Sequence, residues 1–145
     1  MTPRTRWAGP EQSPGFLMWQ VTLAWQRAMR AALAPHDLTH VQFVLLATAW
    51  WLGRTEPPTQ QAVATQAGTD TMMTSQVLRK LADRGLITRE EDPADARVRR
   101  IRVTDPGLKV LTPALADVER ADEEFFARLG ERSTAFVDGL GLLAE

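Results

Sequence analysis

Arginine side chains are concentrated in the stretch REEDPADARVRRIRVT, where four of them lie within six residues: Arg97, Arg99, Arg100 and Arg102. A guanidinium at the tip of a β-hairpin can enter the narrow, electronegative minor groove of DNA. Asp95 can hold Arg97 in place through a bidentate ion pair. The alternative is a solvated ion pair worth less than ~1 kcal/mol. We favour the first interpretation, with Arg99 as a phosphate contact and the acidic run Glu90–Asp92 orienting the arginines or offsetting their mutual repulsion.

A second group of polar side chains lies on one side of the predicted helix Thr71–Arg84, opposite the apolar side, where Met73 and Val77 are expected to be buried. In the major groove, short hydroxyls and amides reach base edges, and arginine binds guanine or a phosphate. Backbone N–H groups near a helix start also donate to phosphate. The alternative is a solvated helix face. We predict that the DNA contacts of this helix come from Thr71, Thr74, Ser75, Gln76 and Arg79.

Tryptophans form the other group of candidates, in two helical segments: Trp19, Trp25, Trp50 and Trp51. At helical spacing, tryptophans most often belong to a core or a subunit interface. They can also form a flat apolar pocket for an aromatic ligand, with His40 or Gln20 as the polar contact. Both interpretations stay open, and the second one places a small aromatic effector against Trp19, His40 and Trp50.

The sequence offers few residues that could bind a metal, act as a reactive thiol or serve as a catalytic nucleophile. His36 and His40 have a spacing that can bind zinc on one helix, but Thr39 as an N-cap separates them across a helix start, and no third ligand is obvious. The chain has no cysteine, only three serines, and no glycine loop of the kind that binds phosphate. We therefore expect no metal, no cofactor and no enzymatic activity.

The overall charge of −1 does not by itself indicate a nucleic-acid partner, but its distribution is uneven. Arg79–Arg102 holds eight basic and five acidic residues, a net charge of +3, and Asp105–Glu145 holds four basic and nine acidic residues, a net charge of −5. A local positive field can matter on a nearly neutral molecule. No apolar run approaches the roughly 18 residues of a membrane span, and the N-terminus lacks a signal-peptide core, so we expect a cytoplasmic protein.

The elements that carry these residues follow from local patterns. Thr59 caps a short helix that Gly68 ends, and a three-residue turn leads to the helix Thr71–Arg84, with Thr69 or Asp70 as its cap. LITRE and VRRIRVT are typical of strands, and DPAD of the turn between them. Two helices joined by a tight turn and followed by a basic hairpin indicate a winged helix-turn-helix, and the arginine-rich stretch is its wing.

Further helices are predicted on both sides of this unit. Ser13 caps a helix that Pro35 ends, and the capping box THVQ opens another up to about Leu52. After the wing, a long helix begins at Thr104 or Asp105, and its apolar residues recur at alternating steps of three and four: Leu108, Leu111, Leu115, Val118, Phe125 and Leu129. Asp122 interrupts this seam, either to set the register or to face a cavity. Gly130 ends the helix, and Ser133 is expected to cap a final one.

The stretch TDTMMTSQVLRKLADRGLITREEDPADARVRRIRVTDPG resembles the core of the MarR family of bacterial transcription regulators. The shared features are the recognition-helix pattern, the RGLI junction, the wing signature DPADAR and the VT..G exit. The flanking helices fit the family order, so the resemblance covers nearly the whole chain. It implies a homodimer on a roughly palindromic operator, with interdigitating N- and C-terminal helices, and a small, often aromatic, effector held between the dimer and DNA-binding regions.

The predicted fold is mainly α with a small β-hairpin wing (α+β), a winged helix-turn-helix flanked by dimerisation helices. Residues 1–12 form a flexible arm, 13–34 and 105–145 the dimerisation region, and 35–104 the DNA-binding domain. The expected function is sequence-specific binding of double-stranded DNA by a homodimeric, ligand-responsive repressor. The alternative is a winged-helix module that binds protein rather than DNA. Salt dependence separates the two, because binding through phosphates weakens steeply with salt.

Overall fold

The chain folds, in a computed structural model that describes residues 1–145, into six α-helices and one β-hairpin. The predicted mainly helical fold with a single hairpin is confirmed. None of the helices combines the length and the apolar character that crossing a bilayer demands. The elements are α1 (Pro14–Leu33), α2 (His40–Leu52), α3 (Gln60–Ala67), α4 (Thr71–Asp83), β1 (Ile87–Glu91), β2 (Arg99–Val103), α5 (Asp105–Phe126) and α6 (Ser133–Leu143), with 3-10 turns at Pro10–Gln12, Ala34–His36 and Ala127–Arg132.

Side-chain caps begin most of these helices where the sequence predicts them. At α2 the capping box is complete: the Thr39 hydroxyl accepts from the Gln42 N–H, and the Gln42 side chain accepts from the Thr39 N–H. Of the two candidate caps of α4, Asp70 is the one used, since its carboxylate accepts from the Met73 N–H at 2.7 Å. Each cap satisfies N–H groups that a helix start leaves without a partner.

The start of α6 differs from the prediction. Ser133 is the first helical residue rather than the cap, and Arg132 before it already has helical angles, with φ of −80° and ψ of −5°. A capping residue needs an extended backbone to turn its side chain towards the free N–H groups, and here the 3-10 turn runs directly into α6. The predicted cap at Ser133 is therefore wrong. Gly130, with φ of 53° and ψ of −125°, breaks the backbone within this turn and so separates α5 from α6.

The hairpin is an antiparallel pair with Glu91 opposite Arg99. Ile101 lies at the centre of β2, is fully buried against the helices, and donates its N–H to the Pro58 carbonyl at 2.8 Å. This bond joins the wing to the loop before α3. The helix-turn-helix and the wing are thus held together by both core packing and a backbone hydrogen bond.

One core of sixteen buried apolar residues connects α1, α2, α3, α4, α5 and the hairpin. Its largest fully buried members include Met29 and Leu33 from α1, Leu45 and Leu46 from α2, and Leu78 and Leu81 from α4. The core thus crosses the predicted domain boundaries near residues 35 and 105. By contrast, α6 contributes no buried residue.

The junction between the wing and α5 explains the VT..G pattern. The Thr104 hydroxyl caps α5 by accepting from the Gly107 N–H at 3.0 Å and donates to the Gly85 carbonyl at 2.6 Å. The Thr104 N–H donates to the Leu86 carbonyl at 3.0 Å. Gly107 is buried, and a Cβ atom at this position would collide with the Leu86 carbonyl oxygen. A threonine and a glycine three residues apart therefore dock the start of α5 against the end of α4.

A partly buried polar contact ties the α1–α2 junction to α5. His36 Nε2 lies 2.6 Å from Asp117 Oδ2, and the His36 side chain is only 14% exposed. Arg120 Nη1 donates to the other Asp117 oxygen at 3.1 Å. The hydrogen bond from His36, assisted by the positive charge of Arg120, lowers the pKa of Asp117 below its usual value.

Asp117→Asn is expected to make the free energy of unfolding less dependent on pH in the acid range. A carboxyl whose pKa is lower in the folded chain contributes stability above its unfolded pKa of about 3.9, and this contribution is lost as pH falls through the folded value. Urea unfolding from pH 6 down to acid measures the slope of the free energy of unfolding against pH. Asp138→Asn, at an exposed α6 aspartate without an ion pair, is the matched control. An unchanged slope in Asp117→Asn contradicts the prediction.

Candidate nucleic-acid interface

The predicted polar face of α4 is open to solvent. The side chains that are exposed or half-buried there are Thr71, Ser75, Gln76 and Arg79. Met72 and Met73 are also exposed, by 72% and 41%, so the prediction that Met73 is buried is wrong. Hydrophobicity alone predicts a core position for Met73, whereas Met72 lies among the polar residues of this face, where an exposed apolar side chain can contact the methyl group of thymine.

Thr74 is a correction to the predicted set. Its side chain is fully buried, its hydroxyl donates to the Asp70 carbonyl at 2.8 Å, and it lies 2.7 Å from the Thr69 hydroxyl. Both bonds lie inside the turn that joins α3 to α4. Thr74 therefore stabilises the helix-turn-helix from within and has no access to a base edge.

The predicted pair at the wing tip is present in the predicted geometry. Arg97 Nε and Nη2 donate to the two Asp95 oxygens at 3.2 and 3.3 Å, and the Arg97 N–H donates to Asp95 Oδ1 at 3.0 Å. These side-chain and backbone bonds lower the pKa of Asp95. The Arg97 side chain is nonetheless 91% exposed. The guanidinium is thus held in one direction at the surface, and its contact with DNA stays a prediction.

The acidic run orients other arginines of the wing, as predicted. Arg100 Nε donates to Asp92 at 2.6 Å, and Arg100 Nη1 donates to the Pro57 carbonyl at 2.8 Å. Arg102 lies 3.7 Å from Glu90. The hydrogen bond from Arg100 is the largest cause of the lowered pKa of Asp92. Arg100 therefore braces the wing against the loop before α3, whereas Arg102 has only an exposed ion pair with Glu90.

A cleft of about 270 Å³ lies between the helix-turn-helix and the wing. It brings together the start of α4 and the tip of the hairpin, which are far apart in sequence. Its polar lining residues are Thr59, Gln60, Gln61, Thr71, Thr74, Arg97 and Arg99. The predicted base-reading helix and the predicted minor-groove arginine thus share one surface, and hydroxyl, amide and guanidinium groups supply its hydrogen-bonding capacity.

A separate apolar face lies on α1 and α6. A groove of about 920 Å³ between them is lined mainly by hydrophobic side chains, including Leu17, Val21, Phe126, Phe136 and Leu140. Within the chain α6 packs mainly on the preceding 3-10 turn, and Phe136 stacks on Phe126 with the ring centroids 5.8 Å apart. The further exposed apolar residues are Phe16, Met18, Trp19, Val137, Leu142 and Leu143. An exposed apolar face of this extent is typical of an interaction surface.

The three predicted effector contacts do not line one cavity. Trp19 is 63% exposed on the apolar face of α1. Trp50 lines a groove of about 260 Å³ between α2 and α5, with Leu111 and Leu115. The aromatic contact of His40, at the start of α2, is with a different tryptophan, Trp25. The predicted pocket of Trp19, His40 and Trp50 is therefore not formed within one chain.

His40 instead belongs to a cluster that sequence reasoning missed. Its ring packs edge-on against Trp25 with centroids 5.0 Å apart, and Trp25 Nε1 donates to Asp122 Oδ1 at 2.7 Å. Burial lowers the pKa of His40, Asp122 opposes this shift, and Arg30 adds to it. Asp122 breaks the apolar seam of α5 because it accepts this hydrogen bond from α1. The signal in the sequence was the single carboxylate in the seam, but its partner lies 97 residues away.

Comparison with known proteins agrees with this architecture. Residues 38–98 match the MarR family. The uncharacterised HTH-type transcriptional regulator YdcH of Bacillus subtilis is 42% identical over 137 residues, which cover 94% of this chain and 92% of YdcH. A relative this similar over nearly the full length of both chains carries the same fold and the same family assignment.

Solved structures give the same result. CouR from Rhodococcus jostii RHA1, bound to p-coumaroyl-CoA, superposes with a TM-score of 0.82 at 27% identity and covers 95% of this chain and 96% of CouR. The transcriptional repressor CouR bound to a 23-mer DNA duplex superposes with a TM-score of 0.84 at 25% identity, over 99% of this chain and 100% of CouR. The winged helix-turn-helix, the restrained arginine at the wing tip and these relatives lead to one conclusion: the chain belongs to the MarR family of transcriptional regulators.

Proposed function

We propose that the chain is a homodimeric transcription regulator that binds double-stranded DNA sequence-specifically, represses, and releases its operator in response to a small ligand. The observation that carries this proposal is the shared surface of α4 and the wing tip, which places exposed hydroxyl and amide groups beside a restrained, exposed guanidinium. The similarity to CouR, which has been solved both with DNA and with p-coumaroyl-CoA, supports the same function.

On DNA, α4 enters the major groove. Thr71, Ser75, Gln76 and Arg79 then face base edges or phosphates, and Met72 supplies an apolar contact. The wing flanks the helix, so Arg97 enters the minor groove, with Asp95 as its positioning residue, and Arg99 contacts a phosphate. Because Asp95 already restrains Arg97, less side-chain entropy is lost on binding.

A second copy of the chain covers the apolar face of α1 and α6. Residues 13–34 and 105–145 form the dimerisation region, 35–104 form the DNA-binding unit, and 1–12 form an arm. Two recognition helices related by a twofold axis would fit half-sites about one turn of DNA apart. The core shared by α1, α5 and the DNA-binding unit means that a shift at the dimer contact changes the separation of the recognition helices.

A small aromatic effector is proposed to act on that separation. Its contact within this chain is the cluster of His40, Trp25 and Asp122 rather than the dispersed set of Trp19, His40 and Trp50. The cluster lies where α1, α2 and α5 meet, and it offers aromatic faces together with a few polar atoms. A ligand that prefers one arrangement of these helices shifts the population between DNA-binding and released dimers.

The rival function is a winged-helix module that binds protein. Selection of bound duplexes from a random-sequence pool, followed by affinity measurements at several salt concentrations, distinguishes the two. A DNA-binding regulator yields a roughly palindromic consensus and an affinity that falls linearly with salt on logarithmic axes. A chain that enriches no duplex even at low ionic strength contradicts the proposal. Neither function requires catalysis, and we propose none.

Arg97→Ala is expected to weaken binding to the selected duplex by about tenfold to a hundredfold, or ~1–3 kcal/mol. The loss is broad across sequences because a minor-groove arginine reads groove width more than base identity. Fluorescence anisotropy with the selected duplex and with base-substituted variants measures both effects. Arg102→Ala, which removes another wing arginine paired with Glu90, is the control and should cost far less. Equal affinity of Arg97→Ala and the parent chain contradicts the wing assignment.

A further inference from the structure

Arg89 in β1 is a wing arginine with an unusual partner. Its Nε and Nη2 atoms both donate to the Gln60 side-chain oxygen of α3, at 3.3 and 3.0 Å. The partner is a neutral amide, so the guanidinium is held in position while its charge is left unbalanced. An arginine that is fixed by an uncharged group is prepared to bind an anion with its remaining donors.

Strand alternation places Arg89 on the same face of the hairpin as Arg99. Arg89 is opposite Ile101 in the register, and Arg99 is two residues from Ile101 along β2, which puts the two arginines in diagonal positions roughly 7–8 Å apart. Ile101 is fully buried, so this is the face towards α3 and α4. Burial, together with the positive charges of Arg79 on α4 and Arg99, lowers the pKa of Arg89. Helix α4 packs against β1, so Arg79 is on the element next to Arg89, and guanidinium groups from α4, β1 and β2 lie near one another.

Arg79, Arg89 and Arg99 form a cluster whose charge balance differs from that of the rest of the wing. Each of the other wing arginines has a carboxylate partner within 3.7 Å, in the pairs Arg97–Asp95, Arg100–Asp92 and Arg102–Glu90. In the cluster, only Arg99 has one, Glu91 at 3.8 Å, and that carboxylate is 65% exposed. Three like charges that share one hydrated carboxylate repel each other, and an external anion relieves this repulsion.

We propose that Arg79, Arg89 and Arg99 together bind one phosphate diester of the DNA backbone, and that Gln60 is the positioning residue that aims Arg89 at it. This inference rests on the proposed function. The cluster adjoins the cleft lined by Gln60, Thr71 and Arg99, between the helix that enters the major groove and the wing that enters the minor groove. A backbone phosphate separates the two grooves, so the cluster lies where such a phosphate must pass.

The first test measures the salt dependence of binding to the selected duplex. Arg89→Gln removes one of the three cations at this phosphate and is expected to reduce the slope of log affinity against log salt by up to about 0.9, the value for one whole phosphate contact, without changing the selected consensus. Gln60→Glu keeps all three arginines but gives Arg89 an internal carboxylate that competes with the phosphate. As in Arg89→Gln, both the salt-dependence slope and the affinity for the duplex should therefore decrease. Arg102→Gln, on the opposite face of the hairpin, should leave the slope unchanged. Thermal unfolding confirms that each variant is folded.

The second test locates the phosphate. Duplexes that carry one neutral methylphosphonate, at each backbone position in turn, are bound to the parent chain and to Arg89→Gln. At one position per half-site the substitution should weaken the parent chain by about tenfold and Arg89→Gln by distinctly less, since the variant has already lost one of the contacts to that phosphate. The assignment of the phosphate site is contradicted if Arg89→Gln and Gln60→Glu keep the parental slope, or if the methylphosphonate at every position weakens binding by both proteins alike. The proposed function stands in either case. If the parent chain binds no duplex, the proposed function itself fails.

Discussion

Leu140→Asp combined with Leu143→Asp is expected to give a folded monomer whose affinity for the selected duplex is lower by about 10²- to 10⁴-fold. Both leucines line the groove between α1 and α6. Two aspartates in this face would be desolvated without partners on association, which opposes the dimer. A monomer binds a single half-site and loses the effective concentration that the linked second half-site provides.

The fold of the variant should persist because α6 contributes no buried residue to the core. Sedimentation equilibrium measures the molar mass, far-ultraviolet circular dichroism checks the helices, and anisotropy measures the affinity. Trp51→Asp introduces the same chemistry on an exposed apolar residue of α2, outside the proposed dimerisation region, and should stay dimeric. A double variant that remains dimeric, or a monomer with parental affinity, contradicts the assignment of this face.

Gly107→Ala is expected to destabilise the fold by about 3 kcal/mol, the upper end of the usual cost of overpacking a close contact. The added Cβ would overlap the Leu86 carbonyl oxygen, and Leu86 N and O are both held by backbone hydrogen bonds. A rigid backbone atom cannot move aside as a flexible side chain can. The start of α5 must therefore separate from the end of α4, which also strains the Thr104 cap.

Differential scanning calorimetry should show a melting temperature lower by on the order of 10 °C. For a chain of this size, each 1 kcal/mol of lost stability lowers the melting temperature by roughly 4 °C. Gly15→Ala is the control, because nothing lies within 4 Å of a Cβ added there. Its helix propensity should make it neutral or slightly stabilising. Equal melting temperatures for Gly107→Ala and the parent chain would show that the junction is more adaptable than its packing indicates.

Local chemistry accounts for the features that the sequence predicted well. The capping box at Thr39, the turn at Gly68 and the Asp95–Arg97 pair each depend on residues within a few positions of one another, so spacing alone specifies them. Their positions in the fold match because a helix start or a tight turn needs the same few side chains wherever it occurs.

The features that were missed depend on contacts between distant segments. Thr74 was placed on the polar face by its chemistry, but its burial follows from the way the turn at Thr69 folds over it. The bond between Trp25 and Asp122 joins two helices that only the tertiary fold brings together. Arg89 looked like one more charge on a basic strand, and its neutral partner Gln60 comes from a different element. Sequence periodicity carries no information on such pairings.

Because α6 has no residue buried within its own chain, the stability of this helix should depend on the protein concentration. In the proposed dimer the apolar side of α6 is covered mainly by the other subunit, so the population of the helix rises with the protomer concentration. Dilution of the protein should fray α6 before it unfolds the shared core. Amide exchange in residues 133–143 should consequently slow as the protein is concentrated, and the abundance of the regulator in a cell would set how much of it is competent to bind.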